Sequence, residues 1–187
     1  MYTMQNRNNL STLSLAILGL VSQKPMSGYD LRKVFTTTPM GHFSSSPGAI
    51  YPALKRLEAD NLITGEIENK NVLRPKRVYT LTQVGTERLV QRLAEPITSE
   101  DIIWRMDDLI LRFPFIWNTL GQEKTLHFLK MLLQQIEAYI PSLQEYLDNM
   151  KNESSPYGVF AMQHGIEMYQ AHARWARRVI DQLQDKS

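Results

Sequence analysis

The chain has 187 residues, of which 43% are apolar and 21% are charged, and it contains no cysteine. This composition is typical of a globular protein, and the lack of cysteine excludes disulfides, thiolate zinc sites and thiol nucleophiles. Residues 1–95 carry twelve Lys and Arg against seven Asp and Glu, whereas residues 96–187 carry nine against twelve. A polyanionic partner is therefore expected to meet the amino-terminal half.

The longest apolar stretch, residues 10–21, is the place to look for a membrane or export signal. It is shorter than the ~20 residues that a membrane-spanning helix needs. One basic residue, Arg7, precedes it and no Ala-x-Ala-like cleavage site follows, which disfavours a signal peptide. We therefore expect a cytoplasmic protein with no membrane partner.

Start and stop signals divide the first sixty residues into three helices. Helical spacing of apolar residues predicts a first helix that ends before Lys24 and Pro25. Residues 27–30, Ser-Gly-Tyr-Asp, have the pattern of a capping box that begins a second helix. After a polar loop at 36–45, Ser46 as N-cap and Pro47 at the first helical position predict a third helix. Its apolar face is formed by Ile50, Leu54 and Leu57.

Beyond Asn61 the apolar period changes from that of a helix to that of a strand. Residues 62–68 and 77–81 alternate around the loop 69–76, which predicts a β-hairpin with a basic tip. Thr82 then predicts the N-cap of a fourth helix. Its inward residues are expected to be Val84, Leu89 and Leu93, and Pro96 ends it.

The second half is predicted to be helical throughout. Thr98 begins a helix that Pro114 is expected to close, with Ile102, Met106, Leu109 and Phe113 on one face. Two longer helices follow with uninterrupted 3-4 spacing. The first carries Leu126, Leu129, Leu133, Ile136, Ile140, Leu143, Leu147 and Met150, and the second carries Val159, Met162, Ile166, Tyr169, Ala173, Ala176, Ile180 and Leu183. Pro141 is expected to kink the first of them.

The order helix, helix, helix, hairpin, helix is the plan of a winged helix-turn-helix, whose third helix enters the major groove of DNA. The outer side of the third helix carries Tyr51, Lys55 and Arg56, and its start offers the amides and hydroxyl of Ser46, Gly48 and Ala49 to phosphate oxygens. The hairpin tip adds Arg74, Lys76 and Arg77. For each single cation, a solvated surface position stays the alternative interpretation.

Several segments of the amino-terminal half also resemble the PadR family of bacterial transcription regulators. The segments that carry the resemblance are 15–20, 27–31, 47–58, 62–63 and 74–85. The resemblance covers residues 10–95 and continues more loosely to the end, where the long helices around Trp175 resemble the family's virulence-activator-type helical domain.

This resemblance implies a mainly α protein with two domains. Residues 1–95 would form the winged-helix DNA-binding domain, and residues 96–187 a helical domain for dimerisation and effector binding. The implied function is that of a homodimeric regulator, usually a repressor, that binds an inverted-repeat operator in double-stranded DNA and is released by a small ligand or a stress signal. The implied DNA-contacting positions are Gly28, Tyr29, Ser46, Gly48, Ala49, Tyr51, Lys55, Arg74, Lys76 and Arg77.

One departure from the family pattern lies directly after the third helix. Asn61 stands where the family usually has Gly. Asn also accepts the left-handed backbone conformation, so the turn is expected to form.

The second half supplies two further predictions. The continuous apolar spacing predicts helix packing that a second copy of the chain completes, with the interface at Ile166, Tyr169, Ala173, Ala176, Ile180 and Leu183. Aromatic and methionine side chains can line an apolar ligand pocket, and we assign a small aromatic effector to Trp104, Met106, Met168 and Trp175. Core packing stays the alternative for these four residues.

An enzyme and a protein-interaction adaptor are the competing classes. His127 with Glu123, and His164 with Glu167 and His172, have spacings that a metal site can use. No H-E-x-x-H motif, nucleophile elbow or glycine-rich phosphate loop accompanies them, so we predict no catalysis, no metal and no cofactor. An adaptor that binds protein through its helices, without specific DNA binding, leaves the basic hairpin tip unexplained.

Overall fold

The computed structural model describes residues 10–43, 47–68, 75–150 and 155–185. Its helices are α1 (Thr12–Gln23), α2 (Gly28–Thr37), α3 (Ile50–Ala59), α4 (Gln83–Ala94), α5 (Ser99–Trp104), α6 (Met106–Met150) and α7 (Pro156–Gln184), with 3₁₀ turns at Pro39–Phe43 and Pro47–Ala49. Its strands are β1 (Met26–Ser27), β2 (Ile63–Glu68) and β3 (Lys76–Leu81). None of the helices in these ranges is long and apolar enough to cross a membrane.

The chain divides into two units. The first comprises the residues up to 95 together with 110–120, and the second comprises 96–109 together with the residues from 121 onwards. The domain ranges expected from the sequence, 1–95 and 96–187, stay a prediction about the functional division of the chain.

The first unit has a helical core with a small sheet at its edge. Helix α1 is buried on most of its surface and contacts α3, α4 and β3. Strand β3 lies between β1 and β2, and both pairings are antiparallel. The predicted winged helix-turn-helix is confirmed, and β1 adds a third strand of two residues that is too short to leave a period in the sequence.

Residues 110–120 complete the core of the first unit. The Phe115 ring lies against Gly19 of α1 so closely that a Cβ at Gly19 would be 2.5 Å from it. The buried Arg112 donates from its guanidinium to the carbonyl oxygen of Leu93 at 2.8 Å and to that of Glu95. This part of α6 therefore supplies hydrogen-bond donors to two carbonyl groups at the carboxyl end of α4.

The second unit is built from α5, α7 and the rest of α6. Three contacts show that α7 runs antiparallel to residues 122–150: Gln122 Nε2 donates to the Leu183 carbonyl at 3.3 Å, Arg177 pairs with Glu137, and the Tyr139 and Tyr169 rings meet edge to face. Tyr169 also donates its hydroxyl to the carbonyl oxygen of Ile102 in α5 at 3.1 Å.

Helix boundaries in the second half differ from the prediction. A single helix through Ile102 and Leu109 is wrong, because α5 ends at Trp104 and Arg105 has a non-helical backbone. Closure at Pro114 is also wrong, since α6 continues through it. Proline has a φ that is compatible with a helix, and its cost there is one lost backbone hydrogen bond. The burial of the neighbouring side chains of Phe115 and Arg112 offsets that cost.

The break in α6 lies at Gly121 and not at a proline. Gly121 has φ 82° and ψ −179°, a conformation that is nearly exclusive to glycine, and it is the only residue of α6 with non-helical angles. Pro141 keeps helical angles and α6 continues through it, and the kink expected there stays a prediction.

Two details of the first unit also differ from expectation. Val84 is 46% exposed, so its predicted inward position is wrong, and α4 buries Gly85 and Arg92 beside the expected Leu89 and Leu93. Helix α3 begins at Ile50, after the 3₁₀ turn that Pro47 opens, while the predicted N-cap Ser46 lies outside the described residues.

Candidate nucleic-acid interface

The amino-terminal turn of α2 is held by a capping box, as the sequence predicts. Ser27 Oγ accepts from the Asp30 amide at 3.2 Å, and the Asp30 carboxylate accepts from the Ser27 amide at 3.0 Å and from its hydroxyl at 2.6 Å. The hydroxyl of Ser27 holds the pKa of Asp30 below its usual value, burial acts in the opposite direction, and the charge of Lys76 lowers that pKa further. The turn that carries Gly28 and Tyr29 is thereby fixed.

Tyr51 of α3 lies directly on this turn. A Cβ at Gly28 would be 2.7 Å from Tyr51 Cε1, so the ring needs the glycine at the start of α2. Tyr51 is nevertheless 49% exposed, and Tyr29 beside it is 65% exposed. Two phenols therefore face solvent where α2 and α3 meet.

Helix α3 separates a buried face from a basic one. Its buried residues are Ile50, Ala53, Leu54 and Leu57. Tyr51 and Lys55, four residues apart, share the exposed face, and Arg56 is exposed next to them. The helix therefore has the division that a recognition helix needs, with an apolar side toward the core and a polar side toward solvent.

The wing contributes Lys76 and Arg77 from the start of β3, both of which are exposed. The guanidinium of Arg77 pairs with Glu58 Oε1 of α3 at 2.6 Å and lies 5.8 Å from the centroid of the Tyr79 ring. Burial raises the pKa of the Tyr79 phenol, and the charge of Arg77 acts in the opposite direction. The two wing cations thus have different surroundings.

A cavity of about 440 Å³ joins these three elements. It is lined by Ser27, Gly28, Tyr29, Tyr51, Pro75, Lys76, Arg77 and Tyr79. Five of the residues predicted to contact DNA, namely Gly28, Tyr29, Tyr51, Lys76 and Arg77, are therefore brought together on one concave surface. Phenol hydroxyls, cations and the first amides of a helix are the groups that bind phosphate oxygens.

The remaining predicted DNA contacts lie elsewhere. Lys55 and Arg56 are exposed on α3 and do not line the cavity, Gly48 is exposed, and Ala49 is half-buried at the start of the helix. Ser46 and Arg74 lie outside the described residues. The assignment of all these residues to DNA binding stays a prediction.

Sequence reasoning missed two residues at this surface, Glu58 and Gly65. Glu58 links α3 to the wing, and its partner lies nineteen residues away, so local spacing could not reveal it. Gly65 gave a weak signal, because a glycine inside a strand indicates a close approach of neighbouring atoms. The neighbours here are Arg77 and Tyr79.

In the second unit, the predicted effector residues have mixed exposure. Trp104 is 80% exposed and Met168 is 51% exposed, whereas Met106 and Trp175 are half-buried. Their assignment to an effector site stays a prediction, and the high exposure of Trp104 is not that of a core residue.

The predicted dimer-interface residues are mostly enclosed within one chain. Ile166, Ala173, Ala176 and Ile180 are buried, while Tyr169 and Leu183 are half-buried and each makes a hydrogen bond within the second unit. Apolar spacing identifies the side of a helix that is covered, but it does not identify the chain that covers it.

The histidines considered as metal ligands do not come together with other ligands in the described ranges, where no group of three or more His, Asp or Glu side chains could hold an ion. Burial holds the pKa of His172 below its usual value, and the negative charge of Asp107 acts in the opposite direction.

Comparisons with known proteins agree on the amino-terminal half. Residues 17–91 match the model of the transcriptional regulator PadR-like family. The negative transcriptional regulator PadR of Bacillus subtilis is 27% identical over 147 residues, which are 79% of each chain. The transcriptional regulator YqjI of Escherichia coli is 35% identical over 77 residues, which are 41% of this chain and 35% of that one.

Among solved structures, the crystal structure of Bacillus subtilis PadR in complex with operator DNA aligns with 91% of this chain and 98% of that chain, at 26% identity and a TM-score of 0.42. The match to the family model falls on the segment from α1 to α4, which holds the capping box, the recognition helix and the wing described above. Residues 17–91 are therefore similar to the PadR-like family of transcriptional regulators.

Proposed function

We propose that the chain is a DNA-binding transcriptional repressor, and that the exposed side of α3 and the wing form its DNA-contacting surface. The observation that carries this proposal is the concave surface on which Tyr29, Tyr51 and Lys76 converge. Its Bacillus subtilis relative is a negative transcriptional regulator, which supports the repressing role.

The dimensions of α3 suit the major groove. An α-helix with its side chains is about 10–12 Å in diameter, which matches the ~12 Å width of the major groove of B-DNA. With α3 in the groove, Lys55 and Arg56 face base edges or the adjacent phosphates. Tyr29 and Tyr51 then lie where a backbone phosphate passes the start of α2, and Lys76 extends along the flanking backbone.

The test of DNA binding is the salt dependence of affinity for fragments selected from genomic DNA. Lys55→Gln and Lys76→Gln should each lower the log–log salt slope by about 0.9, the value for one phosphate contact. Lys130→Gln, a matched change at an exposed residue of α6, should leave the slope unchanged. Equal slopes for all three variants would favour the adaptor and contradict the proposal.

The proposed repressor is a homodimer, and we propose an interface at the distal ends of the long helices in place of the residues predicted from the sequence. None of the described residues 137–150 and 155–165 is buried, although both segments continue the apolar spacing. The half-buried apolar residues there are Ile140, Leu143, Leu147, Met150, Val159 and Met162, and Tyr146, Tyr157 and Phe160 are exposed. We name these two segments the helical arm.

A second copy of the chain is the occupant that suits the helical arm. Clustered apolar residues that one chain leaves exposed mark an interaction surface, and a two-fold axis allows each arm to cover the other. Such a dimer presents two winged helices, which predicts an inverted-repeat operator with half-sites about one helical turn apart.

Sedimentation velocity tests the arm. Leu147→Asp should leave the chain folded and raise the dissociation constant of the dimer, because the half-buried Leu147 supports little of the core of one chain. Ile180→Asp, which introduces a charge at a buried position, should instead reduce the helical content and lower the free energy of unfolding by several kcal/mol. An unchanged dimer in folded Leu147→Asp would contradict the arm as interface.

We also propose release from DNA by a small aromatic effector that binds near Trp104 and Trp175. A tenfold loss of operator affinity requires the effector to prefer the DNA-free geometry by about 1.4 kcal/mol. Titration of tryptophan fluorescence with phenolic acids, in wild type and in Trp175→Phe, tests this proposal. It fails if no compound both quenches the fluorescence and weakens DNA binding.

A further inference from the structure

One carboxylate of α3 connects the recognition helix to both long strands of the wing. Glu58 Oε1 accepts from the Gly65 amide of β2 at 3.2 Å and from the Arg77 guanidinium of β3 at 2.6 Å. The Glu58 side chain is 29% exposed and that of Arg77 is 52% exposed, so the pair lies at the surface beside the candidate DNA interface. We name the set of Glu58, Gly65, Arg77 and Tyr79 the wing clamp.

The position of Arg77 within the wing clamp depends on Gly65. Gly65 and Tyr79 are paired across the two strands. A Cβ at Gly65 would lie 2.5 Å from Arg77 Nε and 2.8 Å from Tyr79 Cε1. The arginine side chain therefore passes over the glycine, with the Tyr79 ring beside it, on its way to Glu58.

The neighbouring cation has a different environment. Successive residues of a strand point to opposite faces of the sheet, so Lys76 and Arg77 have different neighbours beyond the cavity that both of them line. Lys76 is close enough to Asp30 of α2 to affect its protonation, and Arg77 is close to Glu58 of α3. Lys76 also lies opposite Glu68 across the two strands, so the cations differ in the element that holds them: Arg77 alone of the two is paired, at 2.6 Å, with a carboxylate of the recognition helix.

We propose that Arg77 is a positioning residue, which fixes the wing against the recognition helix through Glu58, and that Glu58 is required for full DNA affinity although it carries a negative charge. This proposal rests on the DNA-binding function proposed above. It distinguishes the two wing cations: Lys76 contacts the DNA backbone, and Arg77 holds the strand from which Lys76 extends.

The sign of one substitution separates this role from a direct phosphate contact. If Arg77 binds phosphate, Glu58→Gln removes a competing anion and strengthens DNA binding. If Arg77 positions the wing, Glu58→Gln releases it and weakens DNA binding, by about fivefold for a surface ion pair worth about 1 kcal/mol. The matched control is Glu87→Gln, which replaces a carboxylate by an amide, with the same change in net charge, at an exposed position of α4.

A double-mutant cycle gives the second readout. With a wing clamp, Arg77→Gln and Glu58→Gln each weaken binding, and the double variant binds about as well as Arg77→Gln alone because the same interaction is lost. With a phosphate contact, Glu58→Gln alone strengthens binding and the double variant again binds about as well as Arg77→Gln alone, so the coupling energy has the opposite sign. Affinities are compared at one salt concentration and well below the unfolding temperature of every variant, so that a general loss of stability does not contribute.

Amide hydrogen exchange in the DNA-free protein tests the wing clamp independently of DNA binding. The Gly65 amide donates to Glu58, and a glutamine oxygen still accepts this bond, so Glu58→Ala, which removes the acceptor, should accelerate the exchange of Gly65 several-fold, while Glu87→Ala should not. Unchanged exchange at Gly65, or tighter DNA binding by Glu58→Gln, overturns the proposal. If wild type binds no duplex DNA, the proposed function fails and Arg77 loses its role in it, whereas accelerated Gly65 exchange would still establish the clamp as a feature of the fold.

Discussion

The two units use the same apolar periodicity with different results. In the first unit, α1 to α4 are ten to twelve residues long and most of their apolar residues are buried or half-buried by neighbouring elements of the same chain. In the second unit, the apolar spacing continues along α6 and α7, but burial stops after Ile136 and resumes only at Ile166. Spacing alone therefore predicts that a face will be covered, and only the packing tells which part is covered within the chain.

The helices and strands of the first unit have clear capping and turn residues, which explains why its fold follows so closely from its sequence. The capping box at Ser27 and Asp30, the N-cap at Thr82 and the left-handed Asn61, with φ 55°, are all local features that side-chain chemistry dictates. Each determines where one element ends and the next begins. The helices and the wing are consequently in the predicted order.

The largest effect that separates the two units is expected at a buried arginine. Arg112 is 1% exposed and donates to the carbonyls of Leu93 and Glu95, so Arg112→Met should lower the free energy of unfolding by about 3 kcal/mol through the loss of charge-assisted hydrogen bonds. Arg177→Met, which removes the half-exposed pair with Glu137 in the second unit, should cost less than about 1 kcal/mol. Urea denaturation of both variants measures the difference.

Equal midpoints for Arg112→Met and Arg177→Met would contradict the role of Arg112 as the group that attaches residues 110–120 to α4. A larger loss for Arg112→Met would show that the first unit includes these residues energetically as well as geometrically.

Long-range partners mark the limit of what the sequence predicts. Arg112 lies seventeen and nineteen residues from its two acceptors, on a helix that the sequence predicts to end at Pro114. Glu58 is a single acidic residue on a surface that the sequence predicts to be basic. Neither has a local pattern, because the hydrogen bonds exist only after the elements have packed. Most residues of the concave surface belong to local sequence patterns and can be predicted one by one. The ion pair between Glu58 and Arg77 has no such pattern and cannot.

A smaller effect, with opposite signs at two glycines, is expected in the second unit. Gly121 has φ 82°, so Gly121→Ala forces an alanine into a conformation nearly restricted to glycine and should cost about 1–3 kcal/mol, although a Cβ there would meet no neighbour. Gly165 also has open space, but it lies inside α7, so Gly165→Ala should stabilise by about 0.5–1 kcal/mol.

Thermal unfolding followed by circular dichroism checks this pair of variants. If Gly121→Ala is as stable as wild type, the break in α6 does not require a glycine. The hydrogen bond from the Thr125 hydroxyl to the carbonyl of residue 121, at 2.8 Å, would then form without the positive φ at that residue.

The smallest expected effect is a pH dependence confined to the second unit. Burial lowers the pKa of His172 below its ordinary value of about 6.5, and the charge of Asp107 offsets only part of this. The unfolded chain therefore binds a proton at a higher pH than the folded chain does. As the pH falls through 6.5, the free energy of unfolding should decrease, and it should level off below the pKa of the folded state.

His172→Gln should remove this decrease, while His127→Gln, at an exposed position of α6, should retain it. The measurement is the free energy of unfolding of the three proteins between pH 7.5 and pH 5, approximate limits chosen to span the ordinary histidine pKa. Parallel profiles for wild type and His172→Gln would assign the pH dependence to other groups. A flat profile for His172→Gln alone would assign the pH-dependent part of the free energy of unfolding to His172. That residue lies in the half of α7 that is buried within one chain, next to the helical arm that we assign to the second copy.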